Sequence, residues 1–433
     1  MSARDNVANV QLSKTAEGGK RPFYGWIILP IATIGMVCTS PGQTYGVSPF
    51  NEYFREALNL SYSQLSGAYM AGTLLAALPM TYVGILIDRY GLRRCISVVV
   101  ILFGLACVYI GTVNSLFALF IGFFLLRLLG QGAFGLMAGN MLAYWFHRKL
   151  GTVEGMRHAG IAVAIALIPA LNLWLIHQFG WRMAYAILGA AVCAIMLPLM
   201  IVFRNRPEDV GQYQDGVSPD EGNTDPDGVT PETQHNFTLS ETLRTRAFWI
   251  VAGLIGLWSM LGTALIFHVV PLFTERGLSE GEAALLFPTF AISLAVMQLI
   301  AGFLADRVPL NKLFVVAVAA MSAALASIWR ADAVWMIFLT GFLMGATQGF
   351  LTSLASPLWP RYYGRSHLGR IRGVLATVMV AASSVGPFIM GAARDWAGSF
   401  TPVLGWFILL PLPFLVLGYL ATPPAAPEHA RGH

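Results

Sequence analysis

The chain has 433 residues and a formal charge of +5, yet only 11% of its residues are charged and 56% are hydrophobic. A water-soluble chain carries about 25% charged residues; less than half of that cannot cover a particle in water, so lipid is the expected solvent. The positive balance would suit nucleic acid in a soluble protein, but here the basic residues sit in short loops between apolar runs, which suits a membrane surface.

Residues 1–22 form a polar tail without the apolar core of a cleavable leader, so no removable signal peptide is expected. A membrane-spanning helix needs about 20 mostly apolar residues. Six runs meet this in a first half, 23–203: 24–48, 64–87, 95–113, 116–146, 153–177 and 182–203. Six more meet it in a second half, 247–422: 247–273, 282–305, 312–329, 335–358, 371–393 and 401–421, followed by a tail at 423–433. Pro30, Pro49, Pro79, Pro169, Pro387, Pro411 and Pro413 lie in or at the ends of these runs, where neighbouring helices can re-satisfy the backbone groups they free. Cys38, Cys95, Cys107 and Cys193 fall in apolar runs without paired spacing and read as packing residues, not disulfides or metal ligands.

The segment 204–246 breaks the pattern. It holds nine acids, several prolines and glycines and almost no large aliphatics. It cannot bury a core, and is expected to be a mobile acidic linker on the cytoplasmic side. With the N-terminus inside, twenty of the 27 lysines and arginines fall on the cytoplasmic side and five outside, leaving Arg127 and Arg157 within spans. That bias places both termini in the cytoplasm.

Two motifs repeat at one offset. Gly84-Ile-Leu-Ile-Asp88-Arg89 ends the second span, and Gly302-Phe-Leu-Ala-Asp306-Arg307 ends the eighth, 218 residues later. At the same offset Gly151-Thr-Val-Glu-Gly155 opens the fifth span and Gly369-Arg-Ile-Arg-Gly373 the eleventh. The chain is therefore read as a duplication. The expected fold is an all-α membrane protein of twelve transmembrane helices in two pseudo-symmetric six-helix bundles.

At this point the sequence resembles the major facilitator superfamily over nearly its whole length. Gly84-x-x-x-Asp88-Arg89-x-Gly91-x-Arg93-Arg94 matches the family's loop signature between helices two and three, and Arg127-Leu-Leu-Gly-Gln131-Gly132 is similar to its helix-four motif. Arg21-Pro-Phe-Tyr-Gly-Trp26, Gly42-Gln-Thr-Tyr-Gly46 and Arg206-Pro-Glu-Asp-Val-Gly211 look most like bacterial members of the monocarboxylate-carrier branch. The resemblance implies a secondary or facilitative transporter working by alternating access in a bacterial inner membrane. It further implies a small organic anion of monocarboxylate type as substrate, function as a monomer, and no cofactor or nucleic-acid partner.

Gly84, Asp88, Arg89, Gly91, Arg93 and Arg94 are then gating residues, with Gly302, Asp306 and Arg307 as their second copy. An acid at this helix end can pair with a base or a helix N-terminus in one state and part from it in the other; the alternative is that these charges only fix topology. Arg127 lies at a depth where a guanidinium must face protein, water or an anion. It is read either as a cavity charge or as a buried arginine satisfying carbonyls between helices one and four. Glu154, Arg157 and His158 share a helix face at three- and four-residue spacing. They form either a salt-bridge network or, through Glu154 and His158, a proton-coupling site for symport. Gln43, Tyr45, Asn140 and Gln298 complete the substrate-binding candidates, each also readable as an interhelical bond. Where many monocarboxylate carriers place a lysine and an arginine to grip the carboxylate, Tyr45 and Gln298 stand here, so that grip is expected to be either absent or relocated to Arg127 and Arg157. A neutral or zwitterionic solute is the alternative substrate. A polytopic receptor or enzyme is the alternative class, and no catalytic constellation, metal spacing or nucleotide loop supports it.

Overall fold

The computed structural model describes residues 22–146, 149–216, 237–305, 307–364 and 367–424. Asp306, Arg365 and most of the acidic segment therefore lie outside the described residues, as do the side chains of Thr81 and Asp88. Among the described residues the secondary structure is helical, without strands. Ten segments are long and apolar enough to cross a bilayer. One of them, Leu150–Val202, is two spans joined at Gly180, and the helix pair ending at Tyr90 is the twelfth crossing.

In the first half α1 spans Gly25–Cys38, and α2 runs as Tyr62–Ala77 and, past Pro79, as Met80–Tyr90. Then come α3, Leu92–Ile110, and α4, which begins at Leu116–Leu125 and continues through a π-helical stretch, Leu126–Phe134, to Asn140. The limbs of Leu150–Val202 are α5 (150–179) and α6 (181–202). Gly180 separates them with φ +74°, a conformation that costs little only for glycine. The second half holds α7 at Arg246–Phe267, α8 at Leu286–Ala305, α9 at Leu310–Trp329 and α10 at Val334–Tyr363. It closes with α11 at Leu368–Ala397 and α12, which Pro411 divides into Thr401–Leu409 and Leu412–Tyr419.

Local chemistry sets the helix starts. Ser61 opens α2 with a capping box, its hydroxyl accepting from the Gln64 N–H while the Gln64 side chain accepts from the Ser61 N–H. Ser279 and Glu282 do the same in the short helix before α8. Two apolar cores result, one from Ile28 to Phe203 and one from Phe237 to Ala421, with Phe267 reaching from the second half into the first core.

The described ends of the 204–246 segment, 204–216 and 237–246, are folded. Asn205 accepts the Arg93 backbone N–H at 2.8 Å, and Asp209 accepts the N–H groups of Asn205 and Arg206. The Gln214 side chain donates to the Tyr144 carbonyl, and the Phe237 N–H donates to the Tyr363 carbonyl. These residues satisfy backbone groups at the helix ends they touch, which composition alone could not reveal.

Candidate functional site: a cavity along the second bundle

Both bundles place their chain ends on one face, here termed the terminal face: Tyr24 bonds to Val202, and Tyr362 to Ala421. On the opposite face the bundles are tied together. Ser48 donates to the Ile266 carbonyl, Asn51 to the Phe267 carbonyl at 2.7 Å, and the Tyr53 hydroxyl to Glu280 at 2.9 Å. Burial first, and then the bond to the Glu280 carboxylate, push the Tyr53 hydroxyl above its ordinary range, so it stays a donor. His177 approaches the same Glu280 oxygen at 3.4 Å. Asp395, at the end of α11, receives the first N–H groups of α2 from Tyr62 and Ser63. The guanidinium groups of Arg55 and Arg394 both lie over the Tyr62 ring, and Arg394 pairs with Glu275 at 2.9 Å.

The terminal face is different. A Cβ added at Gly84, Gly155, Gly302 or Gly373 would meet nothing within 4 Å. These are four of the six glycines of the two repeated motifs, on α2, α5, α8 and α11. A Cβ at Gly391, toward the opposite end of α11, would collide with Ser66 and the Tyr62 carbonyl. The bundles are thus in tight contact at one face, with unfilled space at their motif glycines on the other.

A cavity of about 490 Å³ runs along the second bundle, lined from Ile266 near the closed face to Trp359 and Arg372 near the terminal face. At its centre the Trp258 indole donates to the Gln348 side-chain oxygen, which leaves the Gln348 NH₂ as the free end of the amide. Ser259, Thr263 and Thr352 add hydroxyls; Ile255, Phe290, Leu351, Leu375 and Met379 add apolar walls. Trp359 is only 1% exposed, and its Nε1 has no hydrogen-bond partner among the described residues. Among the described residues that line this cavity none is an acid, and Arg372 is the one cation.

The expected site residues fall in several places. Arg127 is 4% exposed and does not line the cavity; its Nη1 donates to the Gly42 carbonyl at 3.2 Å and its guanidinium lies over the Tyr69 ring. The reason lies in α1, which unwinds after Cys38 through Pro41 and Gly42. Unwinding frees carbonyls in the apolar interior, and Arg127 and Asn172 supply donors to those of Gly42 and Gly46. Gln43 donates to Thr39, Tyr45 bonds to Ser40, and Gln298 donates to Thr352 beside the cavity. Asn140 is half-buried at the end of α4. Arg157 is ion-paired to Glu154 and buried, while His158 on the same helix is exposed. Of the gating set, Gly91 ends α2 with φ +80°, and Arg93 donates from Nε to the Met200 carbonyl. Arg89 lies over Tyr90 and Arg307 over Phe303; Arg94 sits near the terminal end of α3.

Sequence reasoning missed Arg372 as a lining residue because it counted toward the loop charge that sets orientation. It did not single out Trp359, which stands one residue past the tenth expected span, 335–358.

Two six-helix bundles tied together at one face, with a cavity along the second of them, define an alternating-access membrane carrier. The family profile of the Major Facilitator Superfamily matches residues 33–279 and 254–433, and the chain belongs to that family of transporters, as a multi-pass integral membrane protein. It is similar to human Monocarboxylate transporter 11, 27% identical over 367 residues that cover 78% of this chain and 70% of that one. It is also similar to the Cis,cis-muconate transport protein of Acinetobacter baylyi, 24% identical over 71% of this chain and 76% of that one. Among solved structures it is similar to a bacterial homolog of the human lysosomal transporter Spinster in an inward-facing, unoccupied conformation. The TM-score there is 0.67 at 18% identity, over 93% of this chain and 98% of that one, a likeness of fold.

Proposed function

We propose that this carrier moves a small organic anion by alternating access, and that the state described is open to the cytoplasm, with the terminal face inside a bacterial plasma membrane. One observation carries the reading: cross-bundle bonds tie the face opposite the terminal one, and among the described residues the cavity's lining includes the Gln348 amide and the Thr263 hydroxyl with one cation, Arg372, and no acid. Such a lining stabilises an acceptor-rich, negatively charged solute and gives a cationic one no counter-charge. The relatives named for monocarboxylates and muconate support the same class.

In this reading the parted glycines at 84, 155, 302 and 373 close together when the opposite face opens. Asp88 and Asp306 act as latches of that second state, with Arg89, Arg93, Arg94 and Arg307 around them. Gln298 borders the substrate path through Thr352, and Gln43, Tyr45, Asn140 and His158 face it from the first bundle as the carrier turns over. Arg127 and Arg157 act indirectly, by holding helices in place. Glu154 and His158 are the groups through which a proton would couple.

The test is uptake of labelled carboxylates into proteoliposomes holding the purified protein as a monomer, with and without a pH gradient. Carboxylate uptake is expected. Uptake of a sugar or amino acid with no carboxylate uptake overturns the anion reading. Asp88→Asn should slow uptake several-fold while leaving the fold intact, and a wild-type rate would remove the latch.

A further inference from the structure

We infer that the closed face holds a proton-binding site shared by the two bundles, His177 and Tyr53 from the first and Glu280 from the second, and that a proton taken up there ties the face shut. The ligand is a proton from the compartment on that face, the external one in the reading above. The site rests on the alternating-access reading and goes beyond it, standing at the opposite end of α5 from Glu154 and His158.

Three polar atoms meet at this point. The Tyr53 hydroxyl donates to Glu280 Oε2 at 2.9 Å and lies 3.2 Å from His177 Nε2, which is 3.4 Å from the same Glu280 oxygen. Tyr53 sits on the short helix Asn51–Ala57, His177 just before the break at Gly180, and Glu280 at the start of the helix Glu280–Ala284. The hydroxyl has one proton to give. When Nε2 is bare, the imidazole and the carboxylate compete for it. A proton on Nε2 ends the competition: the hydroxyl serves Glu280, and the imidazolium donates toward the carboxylate as a charged group. Charge-assisted bonds are roughly twice as strong as neutral ones. Water can deliver that proton, because the His177 side chain is 57% exposed. Histidine is the side chain that ordinarily changes charge between about pH 5 and 8. His268, the other histidine described on this face, is 1% exposed and bonded to the Pro387 carbonyl.

Among the described residues, the other charges around His177 are engaged elsewhere. Arg182, just past Gly180, donates to the carbonyls of Gly111 and Val113 and lies over Trp181. On the helix of Tyr53, Glu52 pairs with Arg55, and Glu56 stands 3.7 Å from the same guanidinium. On the helix of Glu280, Glu282 accepts the N–H and hydroxyl of Ser279. The start of α8 brings the apolar Leu286, Phe287 and Phe290. Glu280 is therefore the counter-charge of an imidazolium here, and it belongs to the other bundle. Opening the face carries it away. The closed state thus gains from proton uptake, and the gain is lost as pH rises through the range in which imidazole gives its proton up.

The experiment is a distance measurement between spin labels on the full-length protein in nanodiscs, from about pH 5 to 8. The labels are placed at Asn114 and Asp332, in loops of the first and second bundle on this face. Proteoliposome uptake of labelled pyruvate and phenylacetate is measured beside it. Acid should raise the ratio of short to long distances in wild type by about threefold, the scale of one exposed ion pair. His177→Gln keeps a polar side chain that never takes the charge and should flatten the response, as should Glu280→Gln. His177→Lys, cationic over the whole range, should hold the ratio high at both ends, which separates charge from packing. Tyr53→Phe should lower the ratio throughout and leave part of the response. A wild-type ratio that ignores pH, or a full response in His177→Gln, with carboxylate uptake intact, overturns the proton site and leaves the carrier reading standing. The expected pH response without uptake of either carboxylate supports the site and overturns the anion reading alone.

Discussion

The carboxylate of Asp395 accepts the backbone N–H of Ser63 at 2.7 Å, and its other oxygen accepts that of Tyr62 at 3.0 Å. The last turn of α11 thus caps the first turn of α2 across the bundle boundary. The free N–H groups and partial positive charge of a helix N-terminus explain the attraction. Asp88 ends α2 on the terminal face, where α11 begins. The two acids therefore stand at opposite ends of one antiparallel helix pair, and a carrier that alternates needs a releasable tie at each end.

Asp395→Asn should loosen the closed face. The group is exposed and solvent-screened, so the loss is about 1 kcal/mol, roughly a fivefold change in the ratio of the two states. Spin labels at Glu56 and Gly281, across the boundary on that face, should gain a longer-distance population. An unchanged distance distribution would show that the other ties suffice without this one.

The glycines make a sharper prediction, because the same small residue plays opposite parts at the two ends. Gly391→Ala places a Cβ against Ser66 and the Tyr62 carbonyl. It should force the closed face apart, despite the roughly 1 kcal/mol that alanine normally adds to a helix. Gly84→Leu and Gly373→Leu meet open space here. They should leave the melting temperature of this state within a few degrees of wild type, yet cut transport by an order of magnitude or more by blocking closure of the terminal face. Equal damage to stability from all three variants would contradict this division.

Much of this was legible in the sequence, for identifiable reasons. The bilayer forces each crossing to be helical and apolar, so twelve spans, the break between α5 and α6, and the parallel repeat could be read from composition and the 218-residue offset. The unwinding of α1 could not. Its cause is a set of tertiary donors, Arg127 and Asn172, that make freed carbonyls at Gly42 and Gly46 affordable far away in sequence. The folded ends of the acidic segment were hidden too, since Asn205 and Asp209 read as solvent-facing until their backbone partners are known. The cavity's lining was less legible: Gln298 lies beside it, bonded to Thr352, whereas whether Arg372 and Trp359 line it depends on which way a helix end faces.

Arg127 offers a separate test of structure against chemistry. Its guanidinium is buried among Gly42, Tyr69 and the π-helical turn of α4, and a lysine cannot reproduce both the stacking and the bond. Arg127→Lys should lower the melting temperature and the maximal rate, with the half-saturating substrate concentration unchanged within about twofold; truncating buried partners commonly costs ~1–3 kcal/mol. A large rise in half-saturation with normal stability would instead place this guanidinium on the substrate.

Trp258 gives the last prediction. Its indole N–H holds the Gln348 oxygen, and that single bond decides which end of the amide the cavity sees. Trp258→Phe keeps the apolar surface but releases Gln348 to turn its oxygen inward, placing an acceptor where an anion would sit. Affinity for a carboxylate should fall by about tenfold, the scale of one lost bond to a charged group, while that for the matching amide holds or rises. Gln348→Leu removes both amide ends and should weaken carboxylate binding without improving the amide. Paired titrations of the two variants against an acid and its amide distinguish a misoriented Gln348 from general damage to α7 packing, because damage would depress both ligands in both variants.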